Sequence, residues 1–165
     1  VFVLARALTY AALFIGFFLV FVPARLLARA GIDAPRDGAL LAVGAALAAA
    51  GGALAVWCVV TFALAGKGTP APFDPPRRLV ARGPYRFLRN PMYLGADAAL
   101  LGAALVYRSL ALAAYAAGFL LVVHLFVLWY EEPTLRAAFG EDYDAYCRDV
   151  HRWFPRWRPT PPARG

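Results

Sequence analysis

Two polar blocks interrupt an otherwise apolar chain, and they carry the side chains best suited to chemistry. The first is Arg82-Gly-Pro-Tyr-Arg-Phe-Leu-Arg-Asn-Pro-Met-Tyr-Leu-Gly95; the second opens with Glu131-Glu132-Pro133, where the last long apolar run stops. Together they supply both signs of charge, amide and phenol donors, and aromatic faces. Charged groups at a bilayer boundary are costly unless they meet water, a partner or a ligand. One tight helical hairpin separates the blocks, so both are expected at the same membrane face, where they form a candidate site.

Each group has a plain reading beside a chemical one. Glu131 and Glu132 sit at a helix end, where the macrodipole disfavours carboxylates. They are either solvated acids at a membrane exit or a pair neutralised by a cationic ligand group or by Arg82, Arg86 and Arg89. Pro133 either stops the helix or starts a new one with Glu132 near its favourable N-terminus. Asn90-Pro91 is a good helix start, and the free N–H groups there attract anions, so it is a cap or a docking point for a carboxylate or phosphate. Tyr85, Tyr93, Trp129 and Tyr130 fit a membrane aromatic belt; they also fit stacking on an adenine or cation–π attraction to a sulfonium. Asp97 faces the bundle or a cavity rather than lipid, paired with an arginine or accepting from a ligand hydroxyl. His124, in the middle of an apolar span, is read as a satisfied interhelical hydrogen bond.

The elements that must position these groups follow from composition. The chain has 165 residues, 62% hydrophobic and only 16% charged, with a mean hydropathy of +0.59. That balance belongs to a polytopic membrane protein rather than a soluble domain. The net charge of +7 lies in loops between apolar runs. This placement fits membrane topology and anionic headgroups and argues against nucleic acid. Cys58 lies in an apolar run and Cys147 in the polar tail, with no Cys/His cluster, so neither a disulfide framework nor a metal site is expected.

Four spans can be drawn, at about residues 2–22, 39–65, 92–107 and 110–130. A crossing helix needs about 20 apolar residues. The second span is long, and the third is short and rests on its hairpin with the fourth. The first is read as a retained helix rather than a signal peptide, because its apolar run is too long for a typical signal core. The chain begins at Val1, which leaves room for a residue or segment before it. The expectation is an all-α, single membrane domain over 1–165, with a loop at 66–91 and a cytoplasmic C-terminal segment at 131–165. Thirteen Lys and Arg residues fall on the side of the termini and the 66–91 loop, four on the other. That asymmetry places both termini and both polar blocks in the cytoplasm.

Gly44, Ala48 and Gly52 form a small-residue stripe suited to close helix packing. Loop 66–76, with four prolines, cannot be helical throughout. After Pro133, Leu135, Phe139, Tyr143, Tyr146 and Val150 recur at helical spacing, an amphipathic pattern with a break expected at Gly140. Trp153 and Trp157, flanked by arginines, are read as interfacial anchors.

The stretches Arg82-Gly-Pro-Tyr-Arg…Arg89-Asn-Pro-Met-Tyr-Leu-Gly95 and Glu131-Glu132-Pro-Thr-Leu135…Phe139-Gly140-Glu-Asp-Tyr143…Tyr146…Val150-His-Arg152…Pro155 resemble the isoprenylcysteine carboxyl methyltransferase-like and phospholipid methyltransferase-like membrane enzymes. They cover about half of the chain, in the family's order around a hairpin. The resemblance implies S-adenosylmethionine as methyl donor, in a largely enclosed pocket formed by the last two membrane helices and the C-terminal segment. It assigns Tyr85, Arg89, Asn90, Pro91, Tyr93 and Gly95 to the cofactor, with Glu131 and Glu132 at its charged end. Arg152, with Tyr143, Tyr146 and Trp129, falls on the acceptor side. The family's first motif often reads Arg-His-Pro. Asn90 keeps a hydrogen-bonding role there but cannot become a cation near neutral pH.

A lipophilic or small acceptor, offering a carboxylate, amine or thiol, completes the implied reaction. Two rival readings stand beside it. One is an NADPH-dependent membrane reductase of the sterol reductase-like type, against which the glutamate pair argues by repelling phosphates. The other is a non-catalytic membrane scaffold, which predicts no cofactor affinity.

Overall fold

The computed structural model describes residue 9 and residues 12–32, 38–66 and 78–155. Among them every regular element is helical. Helix α1 runs over Ala12–Arg29, α2 over Ala39–Gly66, α3 over Pro91–Tyr107 and α4 over Leu110–Phe126. A π-helical turn, Val127–Glu131, leads from α4 into α5, Glu132–Asp149. The chain is an all-helical polytopic membrane protein: α1, α2 and the α4–α5 helix are long and apolar enough to cross a bilayer, and the 17-residue α3 is the shorter fourth. The basic residues Arg6, Arg36, Lys67, Arg77, Arg156 and Arg158, and Trp157 with them, lie outside the described residues, as do positions 67–76 of the Pro-rich loop.

Helices α2 and α3 pack with backbones almost touching. A Cβ on Gly51 would lie 2.5 Å from the Gly95 carbonyl oxygen, and one on Gly44 would lie 2.7 Å from that of Gly102. Both pairs are seven residues apart, and they run in opposite order, the register of an antiparallel pair. Ala48 lies between them, its backbone nitrogen 2.5 Å from where a Gly102 Cβ would sit. The stripe is therefore Gly44, Ala48 and Gly51. Gly52, which the four-residue spacing selects, faces open space. At about 100° per residue, seven residues end about 20° short of two turns, whereas eight overshoot by about 80° and leave the seam.

The α3–α4 hairpin closes at Arg108, in the left-handed region (φ 49°), and Ser109, whose hydroxyl caps α4 by accepting from the Leu112 N–H at 3.3 Å. Ala96 and Leu100 of α3 then meet Ala116, Phe119 and Val123 of α4, with Phe14 and Leu19 of α1 against them.

Among the described residues two π-helical segments occur, Ile15–Phe21 and Val127–Glu131, and each ends two residues before a proline, Pro23 and Pro133. Proline has no N–H to offer the turn behind it and its ring crowds the carbonyl four residues back, a conflict that a widened turn relieves. Thr134 supports the second of these by donating its hydroxyl to the Tyr130 carbonyl at 2.7 Å. The last apolar span thus passes helically through Pro133. The break falls at Gly140, whose φ of 52° and ψ of −125° kink α5.

Candidate functional site

The first polar block is held against α2 and the tail by its backbone. Gly83 adopts φ +55° at the start of a 3₁₀ turn, Gly83–Arg86, and a Cβ there would lie 3.0 Å from Thr61 Oγ1 of α2. Glycine meets both the conformation and the close approach. Tyr146 of α5 donates its hydroxyl to the Tyr85 carbonyl at 2.6 Å, and the Arg89 N–H donates to the His151 carbonyl at 2.9 Å. The two polar blocks therefore meet at one end of the bundle.

At their junction Glu132 is the centre of an ion-pair knot. Arg152 grips it with two parallel bonds, Nε to Oε1 at 2.6 Å and Nη2 to Oε2 at 2.9 Å, and Arg89 Nη2 approaches Oε1 at 3.2 Å. Glu132 is buried, and burial alone would raise its pKa; the Arg152 bonds and the Arg89 and Arg152 charges outweigh that and hold it below its ordinary value. Arg89 also donates to the Cys147 sulfur, while its buried Nε has no partner among the described residues.

Glu131, one residue earlier and just past the apolar span, lies in a different environment. It is half-buried and accepts from the Tyr93 hydroxyl at 3.0 Å. Loss of hydration pushes its pKa up to about 7, against the Tyr93 bond, which lowers it, and with the neighbouring Glu132 charge adding to the rise. The π-helical turn at Val127–Glu131 delivers these adjacent carboxylates to separate surroundings. One is locked between arginines; the other keeps exchangeable charge.

Both carboxylates border one pocket at this junction, about 430 Å³ when the open space at its mouth is counted. Tyr85, Arg89, Asn90, Tyr143 and Tyr146 complete its polar and aromatic wall. Burial raises the pKa values of Tyr85, Tyr143 and Tyr146, so these phenols stay protonated near neutrality.

Asn90 apart, the other residues singled out from sequence lie outside the pocket lining. Asn90 occupies the N-cap position of α3 without a side-chain cap bond; its Nδ2 donates instead to the Arg152 carbonyl at 3.3 Å. Pro91 is buried at the first turn of α3, outside the pocket lining. Tyr93 reaches the site through Glu131. Gly95 packs against Gly51, so its missing side chain makes room for a helix rather than a ligand. Trp129 is 76% exposed on the outer face. Arg152 holds Glu132 from outside the pocket lining. Trp153 is turned inward: its Nε1–H donates to His124 Nδ1 at 3.0 Å, and its ring packs on the α3–α4 core. An interfacial anchor would instead have offered that N–H to water. Asp97 is buried in α3 with Oδ1 unpartnered among the described residues.

Sequence reasoning missed Phe62, Leu79, Val80, Val127 and Leu135, which form the apolar wall of the pocket. Val127 and Leu135 each stand four residues from Glu131, a spacing that marks one helix face. Phe62 carries no such signal. Cys147 was readable too, four residues after Tyr143.

A family model described as phospholipid methyltransferase matches residues 39–142, well over half of the chain. That stretch contains α2, α3, α4, the whole first polar block and both glutamates. No curated protein and no solved structure matches.

Proposed function

From the premise that the chain belongs to the phospholipid methyltransferase family of membrane methyltransferases, we propose that it uses S-adenosylmethionine and methylates a lipophilic or small acceptor at the membrane. We read it as isoprenylcysteine carboxyl methyltransferase-like in type, on the motifs around Arg82–Gly95 and Glu131–Pro155. The observation that carries this reading is the contrast between Glu131 and Glu132. Glu132 is neutralised by two guanidinium groups, whereas Glu131 borders the same pocket with a tyrosine hydroxyl as its bonded partner. A half-buried carboxylate beside aromatic rings suits a cationic ligand group.

The residues present fit the cofactor. The buried, unpartnered Nε of Arg89 suits an acceptor atom, Asn90 lies beside it in the lining, and Tyr85, Tyr143 and Tyr146 offer surfaces for an adenine. When bound, S-adenosylmethionine supplies a methyl group on a sulfonium, which is already an activated leaving group. The chain's own task is alignment, which in favourable cases contributes about 7–11 kcal/mol. Glu131 balances positive charge at the pocket wall. The Glu132 knot fixes the relative positions of loop, helix and tail, and the apolar wall excludes water. We place the pocket and both termini in the cytoplasm, from the distribution of Lys and Arg, with the acceptor arriving from the bilayer.

Calorimetric titration of the detergent-purified protein with S-adenosylmethionine, S-adenosylhomocysteine and NADPH tests this. Saturable binding of both adenosyl ligands, weakened by Asn90→Ala, is expected. Binding of NADPH alone would transfer the site to a reductase, and a folded sample that binds none of the three would favour a scaffold.

A further inference from the structure

The short segment after α5 is tied down at three successive residues. The His151 carbonyl accepts from the Arg89 N–H, and the Arg152 carbonyl accepts from Asn90 while its guanidinium clamps Glu132. Trp153 leaves the polar level, packs its ring against the α3–α4 core and donates to His124 inside α4. Val150 before it is extended; its N–H makes the last helical bond, to the Tyr146 carbonyl at 2.9 Å, and the strap leaves α5 there.

We propose that His124 is a positioning residue: by accepting the indole N–H of Trp153 it seats the strap that holds Arg152 on Glu132. An indole can only donate. Packed against an apolar cluster and partly buried, its N–H is costly to leave without an acceptor, and His124 Nδ1 is the partner it has. That nitrogen accepts only when it carries no proton, which assigns any ring proton of the neutral imidazole to Nε2. Remove the acceptor and the indole gains by turning toward the headgroups, drawing the adjacent Arg152 away from its carboxylate. The residue thus acts on the pocket from within the membrane helix without bordering it. The effect on ligand affinity rests on the methyltransferase reading; the seating of the strap does not.

The test measures hydrogen–deuterium exchange of the Arg89 N–H, which donates to the His151 carbonyl of the strap, in the full chain in detergent, alongside titration with S-adenosylhomocysteine. His124→Leu and Trp153→Phe should each open the strap about 5- to 10-fold more often, the factor of one ordinary hydrogen bond. The double variant should open no more than either single one, since both remove the same bond. His124→Asn, which places an amide oxygen near the lost Nδ1, should restore protection. Affinity for S-adenosylhomocysteine should fall with the first two variants and recover with the third. Unchanged exchange in a folded His124→Leu protein overturns the proposal, as do additive losses in the double variant or failure of the asparagine to rescue. Loosening of the strap at constant affinity overturns the link to the site. If the wild type binds no adenosyl ligand, the methyltransferase reading fails, and exchange alone decides the seat.

Discussion

Between α2 and α3 the contact is backbone against backbone, with no side chain able to give way. Between the 82–91 loop, α5 and the strap, the contact is a three-charge knot with a few backbone bonds around it. The helix seam carries no charge at Gly44, Ala48, Gly51, Gly95 or Gly102, so it has nothing to titrate, yet it has no room for an added atom. The knot has the opposite character. Its long side chains tolerate changes of shape, but its energy depends on the charge of Glu132. In a protein that crosses a lipid layer, rigidity and responsiveness are thereby assigned to different levels.

The largest effect that would break this contrast is a side chain placed in the seam. Gly51→Leu should cost at least about 3 kcal/mol, because its first carbon already overlaps the Gly95 carbonyl. Loss of folded material in detergent and a lowered unfolding midpoint would register it. Gly52→Leu, one residue along and facing open space, should stay within about 0.5 kcal/mol of wild type. Similar behaviour of the two variants would remove the seam from the account.

Next in size is Glu132→Ala, which leaves two guanidinium groups facing each other. A cost of about 2–3 kcal/mol is expected in chemical denaturation, reduced from the fully buried case because the Arg152 side chain is 29% exposed. The pH dependence sharpens this. The folded pKa of Glu132 lies below its ordinary 4.5, so its stabilisation is complete above that value and fades as pH falls through the folded one. Acidification should therefore cost the wild type more stability than Glu132→Gln. Parallel acid profiles would show that the knot contributes no linked stability.

The smallest effect concerns Glu131. If it faces a sulfonium, S-adenosylmethionine should gain on S-adenosylhomocysteine, whose sulfur carries no charge, as pH rises through about 7. Glu131→Gln should abolish that change. Tyr93→Phe removes the bond that lowers the pKa and should move the inflection upward by up to about one unit. A pH-independent affinity ratio in the wild type would take Glu131 away from the cationic centre.

Much of the architecture was legible because lipid forces it into the sequence. Apolar runs of crossing length and a short hairpin announced the bundle, and Gly140 announced the kink. Topology put three arginines, Arg89 among them, on the same face as the two glutamates, without singling out the pairing of Arg89 with Glu132. What stayed hidden depended on phase or on distant partners. Gly51 and Gly52 differ by one helical step, which composition does not resolve. Gly95 sits within a functional motif but serves the seam. Trp153 has the company of an interfacial anchor, and its inward turn is set by His124, 29 residues earlier in the chain. The unequal fates of Glu131 and Glu132 also escaped, because Pro133 signals the widened turn before it but not which of the two carboxylates meets the arginines.

That widening at Val127–Glu131 has a consequence for how the chain can change length. A π turn holds one residue more than the α-helix around it. Shortening the chain by one residue there can be absorbed by a return to ordinary helix, with α4 and α5 keeping their mutual phase. The same deletion elsewhere in α4 would rotate α5 by about 100° and swing Glu132 out of reach of both arginines. The segment is a built-in length buffer, so single-residue gaps among homologous chains should collect between positions 127 and 131.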